Sequence, residues 1–382
     1  MNNNLPKAVY IHIPFCKRKC SYCGFYSKSP QEYDVGKLLD AEIAELEKSP
    51  VDKPVRTLYI GGGNPSCIGH DLLCGFLKKV LTLTGKPDEF TVEVNPADAD
   101  EKLIKSLFEL GVNRISIGVQ SFSDKELAFL GRGYSAAQAQ KTIETCKAAG
   151  FKNISIDLIF ALPPVLSEAE GGSDLQCWRQ NLDKAVEMNV THISAYSLTY
   201  EKNTPLEKSK SSGRIKTVDE ETDRQMYETA IETLGGAGFN HYEISNFAKP
   251  GFECKHNLTY WKNDFYIGIG PAACSYIEHR RIENINDIEK YIIQKDAVAE
   301  TFEISLQEKA CQTAVLGLRL IKGIDLAEYK QKTGFDISEL FKVSIENNLK
   351  VNLLQIKDNR LSLTKSALSV ADSVLCDFSQ PD

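Results

Sequence analysis

The sequence lacks several features that would place it in other classes of protein. No apolar run approaches the roughly 18 residues of a membrane-spanning helix, and the first residues, MNNNLPKAVY, lack the apolar core of a signal peptide. Positive charge is not in excess, because 45 Lys and Arg face 52 Asp and Glu, for a net charge of -7. This balance argues against nucleic acid as the main partner. We therefore expect a cytoplasmic protein that does not act on nucleic acid.

The 11 cysteines do not follow the pattern of a disulfide framework or of a zinc site. A chain of 382 residues is too long for the short, cysteine-dense secreted class. No second C-x2-C or H-x3-H pair accompanies the one formed by Cys20 and Cys23. Free thiols fit a reducing compartment, and most of the scattered cysteines are interpreted as small buried side chains.

The sequence does contain a compact group of three cysteines close to its start. Cys16, Cys20 and Cys23 follow a short apolar run as C-x3-C-x2-C. Three thiolates at this spacing fit three irons of a [4Fe–4S] cluster, which normally takes four cysteine ligands. The residue at the position expected for a nearby fourth thiolate is Phe25, so one iron would be open to a small molecule. A structural zinc site and a chance grouping are the alternatives.

Alternating strand and helix patterns predict an α/β fold. Six apolar, strand-like runs are each followed by a segment with helical periodicity. Six such units predict a parallel sheet with helices outside it, two units short of a complete barrel. In this architecture the working face lies at the C-terminal ends of the strands. The predicted strands are 8–13, 55–60, 89–95, 113–119, 152–160 and 191–199.

The pattern changes near residue 281, which predicts a division into domains 1–280 and 281–382. The second part has three helical stretches followed by two short strand-like pieces. Within the first part, residues 163–177 are rich in Pro, Gly, Ser and acidic residues and are predicted to form an exposed loop.

The stretch YIHIPFCKRKCSYCGF at residues 10–25 resembles the cluster loop of the radical S-adenosylmethionine (SAM) enzymes. It is most similar to the branch that contains oxygen-independent coproporphyrinogen III oxidase and the HemW heme chaperones, and the resemblance covers nearly the whole chain. It implies a partial (β/α)6 TIM-like barrel with a small α/β, winged-helix-like C-terminal domain. It also implies that SAM binds the open iron. An electron from the cluster would then cleave SAM to methionine and a 5′-deoxyadenosyl radical.

The resemblance also assigns a set of SAM-contacting residues, most of which lie at the ends of predicted strands. Glycines there allow a ligand to approach the backbone closely, and an arginine matches a bound carboxylate. A carboxylate inside an apolar strand, as at Asp157, is costly unless it faces a polar cavity. Asn64 stands where the family commonly has Thr. The set is Tyr10, Gly61, Gly62, Gly63, Asn64, Glu93, Gln120, Arg132 and Asp157.

A second motif, HNLTYW at residues 256–261, matches the H-N-x-x-Y-W pattern of the HemW branch. Histidine is a ligand of heme iron, and aromatic rings can stack on a porphyrin. His256 is therefore a candidate heme ligand, and a structural loop that closes the barrel is the alternative. Cys274 is a second candidate, because it stands in GPAACS where the family usually has His.

Three features favour the HemW side of the branch over the oxidase. They are Phe25 in place of a fourth cysteine, the short segment of 15 residues before Cys16, and the HNLTYW motif. The resemblance then implies a heme chaperone that delivers heme to apo-proteins of the respiratory chain and carries a [4Fe–4S] cluster and SAM. The alternative is a radical SAM oxidoreductase that acts on a porphyrinogen. The catalytic residues, the recipient protein, a homodimer and a peripheral membrane contact stay open on the sequence alone.

Overall fold

A computed structural model describes residues 5–163, 174–294 and 297–381. Its centre is a large sheet in which six strands run parallel, each beside the strand that precedes it in the chain. The six predicted strands are confirmed, with ends that shift by up to two residues. They are β1 Ala8–Ile13, β2 Thr57–Gly62, β3 Glu89–Val94, β4 Arg114–Gln120, β5 Asn153–Phe160 and β6 His192–Ser197.

Three short strands that the sequence patterns did not predict extend this sheet to nine. β7 Asn240–Glu243 and β8 Asn246–Ala248 form an antiparallel pair beside β6, and β9 Ile267–Ile269 runs parallel to β1. The strand order is β7-β8-β6-β5-β4-β3-β2-β1-β9. Because the two end strands differ and do not pair, the described sheet is an open, partial barrel.

Helices cover the outside of the barrel and begin at residues that cap them. Asp34, Asp100 and Asp219 each accept a backbone N–H in the first helical turn, and Ser135 forms a reciprocal capping box with Gln138. The helices are α1 Val35–Lys48, α2 His70–Thr84, α3 Glu101–Glu109, α4 Asp124–Phe129, α5 Ala136–Ala149, α6 Asp174–Glu187, α7 Pro205–Ser211, α8 Glu220–Gly236 and α9 Lys255–Trp261.

The two faces of each parallel strand differ in chemistry. In β4, Ile115, Ile117 and Val119 are fully buried, and they alternate with Arg114 and Ser116. Side chains alternate between the two sides of a strand, so the apolar set packs against the helices and the polar set faces the barrel interior. The interior is therefore polar, and this directs the search for a site inward.

The C-terminal part combines short helices with two antiparallel sheets. One sheet is β10-β11-β12 and the other is β13-β15-β14. The sheet β10-β11-β12 includes a strand that precedes residue 280 and strands that follow it. The division of the chain into domains 1–280 and 281–382 therefore stays a prediction. The elements are β10 Cys274–Ile277, β11 Arg280–Asn284, α10 Ile288–Ile293, β12 Val298–Glu303, α11 Leu306–Leu318, β13 Ile324–Asp325, α12 Leu326–Thr333, α13 Ile337–Leu340, α14 Lys342–Lys350, β14 Leu354–Lys357, β15 Arg360–Leu363 and α15 Ala371–Cys376.

Two further expectations from the sequence concern the loop at 163–177 and membrane-spanning helices. Most of the loop predicted at 163–177 lies outside the described residues, because 164–173 are not among them. No helix among the described residues has the length and apolar character needed to cross a bilayer.

Candidate functional site

A cavity of about 740 Å³ lies inside the barrel and opens at the C-terminal ends of the parallel strands. Cys16, Cys20 and Cys23 line one side of it, and the ends of β2 to β6 supply the rest of the wall. Ten of the thirteen sequence-predicted cofactor and metal residues line this one cavity. They are Cys16, Cys20, Cys23, Gly62, Gly63, Asn64, Glu93, Gln120, Arg132 and Asp157.

The loop that carries the three cysteines is fastened at its base and in its middle. The Cys16 N–H donates to the carbonyl oxygen of Lys28 at 2.9 Å, which closes the loop just after β1. The Ser21 N–H donates to the Leu130 carbonyl oxygen at 3.2 Å, and the Ser21 carbonyl accepts from the N–H of Leu206 at 3.0 Å. These contacts hold the cysteines over the end of the barrel.

All three thiols are partly buried at the cavity wall. Burial raises the pKa of Cys16 to about 11 and also raises the pKa of Cys23, so a metal that bound them as thiolates would have to supply the free energy of deprotonation. Within the described residues, no three His, Cys, Asp or Glu side chains are arranged to hold a metal ion directly. Three thiols along one wall are nevertheless the donor chemistry of an iron–sulfur cluster. Phe25 lines the same cavity and is 70% exposed.

Gly62 and Gly63 let the end of β2 pack against the start of the cysteine loop. A Cβ atom on Gly63 would lie 2.5 Å from the carbonyl oxygen of Phe15, and one on Gly62, whose φ is +113°, would lie 2.8 Å from Nδ1 of His12. The Gly63 N–H donates to the carbonyl oxygen of Ile13 at 3.0 Å. A larger residue at either position would displace the loop. Gly61 faces Glu93 and does not line the cavity.

Asn64 links the glycine edge to the cysteine loop. Its Nδ2 atom donates to Asp98 at 2.6 Å, and its Oδ1 atom accepts from the hydroxyl of Ser66 at 2.5 Å. Lys17, which lies between two of the cysteines in sequence, forms an ion pair with the same Asp98 carboxylate at 2.5 Å. Asn64 thus helps to position the cysteine loop as well as lining the cavity.

Two of the carboxyl groups in the cavity wall, those of Glu93 and Asp157, hold their protons more tightly than usual. Burial, together with the nearby Asp157, raises the pKa of Glu93 to about 7, although the hydrogen bond from the Tyr59 hydroxyl at 2.7 Å opposes this shift. Burial also raises the pKa of Asp157, although a hydrogen bond with Ser194 opposes the shift. A cationic ligand group would favour the ionised form of both.

Arg132 and Gln120 complete the wall near the cysteines. The guanidinium carbon of Arg132 lies 5.8 Å from the ring centre of Tyr22 and 5.7 Å from that of Tyr134. The buried Nε atom of Arg132 has no hydrogen-bond partner. Gln120 has a φ of +64° at an irregularity in β4, a conformation that costs free energy and is enriched at functional sites. A bound carboxylate would satisfy the arginine.

Tyr10 and His256 are not among the residues that line the cavity. The Tyr10 hydroxyl is 2.9 Å from Nδ1 of His12. His256 is 1% exposed, and its two ring nitrogens lie 2.8 Å from the hydroxyls of Thr57 and Tyr260. Burial lowers the pKa of His256 to about 3, so its ring is neutral. The cofactor roles of Tyr10 and His256 stay predictions.

Several cavity residues were missed by the sequence analysis. Asn257, the second residue of the HNLTYW motif, lines the cavity although His256 does not. Arg114, Ser116 and Gly118 also line it, on the same face of β4 as Gln120. Their spacing of two along an apolar strand was a readable signal, because alternate residues share one face.

Comparison with known proteins places this site in a family. Residues 10–169 match the radical SAM superfamily, and residues 304–370 match the HemN C-terminal domain. A protein of Lactococcus lactis subsp. lactis named heme chaperone HemW is 32% identical over 98% of this chain and 97% of its own length. A Bacillus subtilis protein of the same name is 32% identical over 97% of this chain and 99% of its own.

A solved structure shares the fold at lower sequence similarity. The structure of coproporphyrinogen III oxidase (HemN) from Escherichia coli, described as a radical SAM enzyme, superposes with a TM-score of 0.81 at 18% identity. It covers 98% of this chain and 90% of its own, which confirms a partial barrel with a small C-terminal domain. Together with the near-complete match to proteins 32% identical in sequence, this shows that the chain belongs to the HemW family of radical SAM proteins.

Proposed function

We propose that this protein is a heme-binding chaperone that delivers heme to apo-proteins of the respiratory chain. It would carry a [4Fe–4S] cluster on Cys16, Cys20 and Cys23 and bind SAM in the same cavity. The observation that supports this most directly is the convergence of those thiols with Glu93 and Arg132 around one space of about 740 Å³. Heme is proposed because near-full-length relatives are named heme chaperones.

The residues around the cavity fit the two charged groups of the amino-acid end of SAM. Arg132 presents a buried Nε atom without a partner, which suits the carboxylate. Glu93 is held by the hydroxyl of Tyr59 and the N–H of Gly62, which suits an adjacent ammonium group. A cation there would lower the pKa of Glu93 and keep it ionised.

The role of the protein in this chemistry would be to orient the cluster and SAM and to enclose them. When bound, the cluster and SAM supply one-electron chemistry at the sulfonium group. The Gly62–Gly63 edge sets the distance between β2 and the cysteine loop, and the Asn64–Asp98–Lys17 chain fixes that loop from the other side.

The heme ligand is proposed to be either His256 or Cys274. Cys274 is exposed at the start of β10, whereas His256 would have to leave the hydroxyls of Thr57 and Tyr260 to reach an iron. The two candidates can be separated by the absorption spectrum of bound heme in His256→Ala and Cys274→Ala. Whichever variant loses the wild-type heme spectrum identifies the ligand, and retention in both would exclude both residues.

The function is tested with anaerobically reconstituted protein. One sample receives heme and then an apo-heme protein, and a second receives coproporphyrinogen III with SAM and a reductant. We expect stable heme uptake and transfer in the first sample and no protoporphyrinogen in the second. Conversion of coproporphyrinogen III would support the oxidase alternative, and absence of heme uptake would overturn the chaperone proposal.

A further inference from the structure

The cavity has a floor that the proposed binding of SAM near the cysteines does not use. Neighbouring strands place Tyr10, Tyr59, Thr91, Arg114 and Asn153 in one register row across β1 to β5. Of these residues, Tyr59 and Arg114 line the cavity. Glu93 and Ser116 form part of the next row toward the cysteines. Since a strand rises about 3.3 Å per residue, the Arg114 row lies roughly 7 Å deeper than the Glu93 row.

Three side chains in this row have buried polar atoms with no hydrogen-bond partner. They are Oγ1 of Thr91, Nε and Nη1 of Arg114, and Oδ1 of Asn153. Buried polar atoms are normally paired, and three orphans side by side on β3, β4 and β5 are a cluster rather than a single exception. The cluster is rich in donors, because the guanidinium group contributes two of its four atoms.

Arg114 dominates the charge of this row. It is 2% exposed, it lines the cavity, and it forms no ion pair with any described residue. Burial opposes the charge of the guanidinium group, and the Glu89 carboxylate attracts it without forming a direct ion pair. The acidic group below it, Glu89, is occupied, because its two oxygens accept the backbone N–H groups of Lys255 and His256, each at 2.9 Å.

The cavity extends continuously from the cysteines to this floor. Tyr59, Arg114 and Asn257 line the same space as Cys16 and Cys20. Asn257 belongs to α9, whose first turn is held by Glu89 at the base of β3. A ligand that enters between the cysteines and Arg132 therefore has a path to Arg114.

We infer that Arg114 forms an oxyanion site at the floor of the barrel, which takes a carboxylate or phosphate group of a second ligand. A guanidinium group forms charge-assisted hydrogen bonds with either oxyanion. The ligand would lie deeper than the residues proposed to hold SAM, so the two could occupy the cavity together. This inference rests on the orphaned floor and not on the proposed heme function.

The test measures anion-dependent stabilisation of the full-length protein. A ligand that binds only the folded state raises the thermal unfolding midpoint, so the midpoint is followed against added propionate or inorganic phosphate, with chloride balancing the ionic strength. We expect a saturable rise in the wild type with one or both anions. A response to propionate alone assigns a carboxylate site, and a response to phosphate alone assigns a phosphate site.

Variants connect that response to Arg114. Arg114→Met should weaken the apparent anion affinity about tenfold or more, because a charge-assisted pair is lost. Arg179→Met, which removes an exposed positive charge on α6, should leave the response unchanged. An equal response in wild type and Arg114→Met, or no saturable response to either anion in the wild type, would overturn the inference.

A second variant keeps the test decisive if Arg114→Met does not fold. Asn153 is the register partner of Arg114, and Asn153→Asp is close to isosteric. The new carboxylate should pair with Arg114, raise the unfolding midpoint without added anion and abolish the response to propionate and phosphate. A wild-type response retained in Asn153→Asp would contradict the site.

Discussion

The two motifs that stand out in the sequence, the cysteine loop and HNLTYW, meet very different surroundings in the fold. The three cysteines are partly buried at the wall of a large cavity. The histidine of HNLTYW is 1% exposed, and both of its ring nitrogens are within hydrogen-bond distance of hydroxyl groups. The first motif places its thiols at the wall of the cavity, and the second uses its histidine to join α9 to β2.

This difference shows that a family motif locates a region of the fold but does not show which of its side chains are free to bind a ligand. Availability depends on partners supplied by distant residues, as Thr57 does for His256 across 199 positions of sequence. In HNLTYW the residue that lines the cavity is Asn257. The predictions below test whether the cysteine loop is the ligand-binding region and the His256 neighbourhood the structural one.

The largest effect is expected at the cysteine loop. Cys20→Ala removes one of only three thiolates and should abolish the visible absorbance of the reconstituted cluster, because two protein ligands do not hold the cube. Cys376→Ala removes an exposed thiol in α15 and is the matched control, with unchanged absorbance. Full absorbance in Cys20→Ala would refute the ligand assignment.

His256→Ala should act on stability and leave the cluster in place. The change leaves the hydroxyls of Thr57 and Tyr260 without their partner and opens a cavity, so the free energy of unfolding should fall by about 2–4 kcal/mol. Denaturant unfolding measures this, and iron content should match the wild type. His70→Ala, at a partly exposed histidine of α2, should cost about 1 kcal/mol or less. Similar small losses in both variants would argue against a structural role for His256.

Glu93→Gln should change how stability depends on pH in the ligand-free protein. The pKa of Glu93 is raised from 4.5 to about 7, so the folded state keeps a proton that the unfolded chain releases between these values. The contribution of Glu93 to stability therefore falls as pH rises through this window, by up to about 3 kcal/mol.

Glutamine does not titrate, so Glu93→Gln should gain stability relative to the wild type as pH rises from 5 to 8. Urea unfolding across that range measures the difference between the two proteins. Parallel curves for the variant and the wild type would show that the Glu93 carboxyl is not desolvated as described.

The smallest effect is expected at Phe25. Its ring is 70% exposed, so Phe25→Ala should change the free energy of unfolding by no more than about 0.5 kcal/mol. Cluster absorbance should stay at the wild-type level, because Phe25 supplies no ligand. Loss of the cluster in Phe25→Ala would mean that the ring itself supports the loop.

The order of the six parallel strands was predictable, because each is an apolar run followed by a helical pattern. The ten cavity residues were predicted from the three-cysteine spacing and from the resemblance to a family, and most of them lie near strand ends that a parallel sheet brings together. β9 was missed because its three residues, IGI, are too short and glycine-rich to show a pattern. α7 was not predicted, because its composition is polar, although Thr204 as its N-cap and Pro205 at its first position were usable signals.

The availability of individual polar groups could not be read from the sequence. The alternation of Arg114 with the buried Ile115 places it on the polar face of β4, but only the register with β3 and β5 places Thr91 and Asn153 beside it. The polar row likewise needs Thr91, Arg114 and Asn153, which are more than 20 positions apart in the chain and lie on three different strands. The sequence identified the part of the cavity wall that lies nearest the cysteines, and the tertiary structure revealed the row that contains Arg114.

The most direct test of the central claim is the electron paramagnetic resonance spectrum of the reduced, reconstituted cluster before and after SAM is added. If the three cysteines and Arg132 form one site, SAM should change the spectrum of the wild type, because it binds the open iron. Arg132→Met should need a higher SAM concentration for the same change. A wild-type spectrum that SAM leaves unchanged would contradict the account, because the cluster would then have no iron open to the cavity.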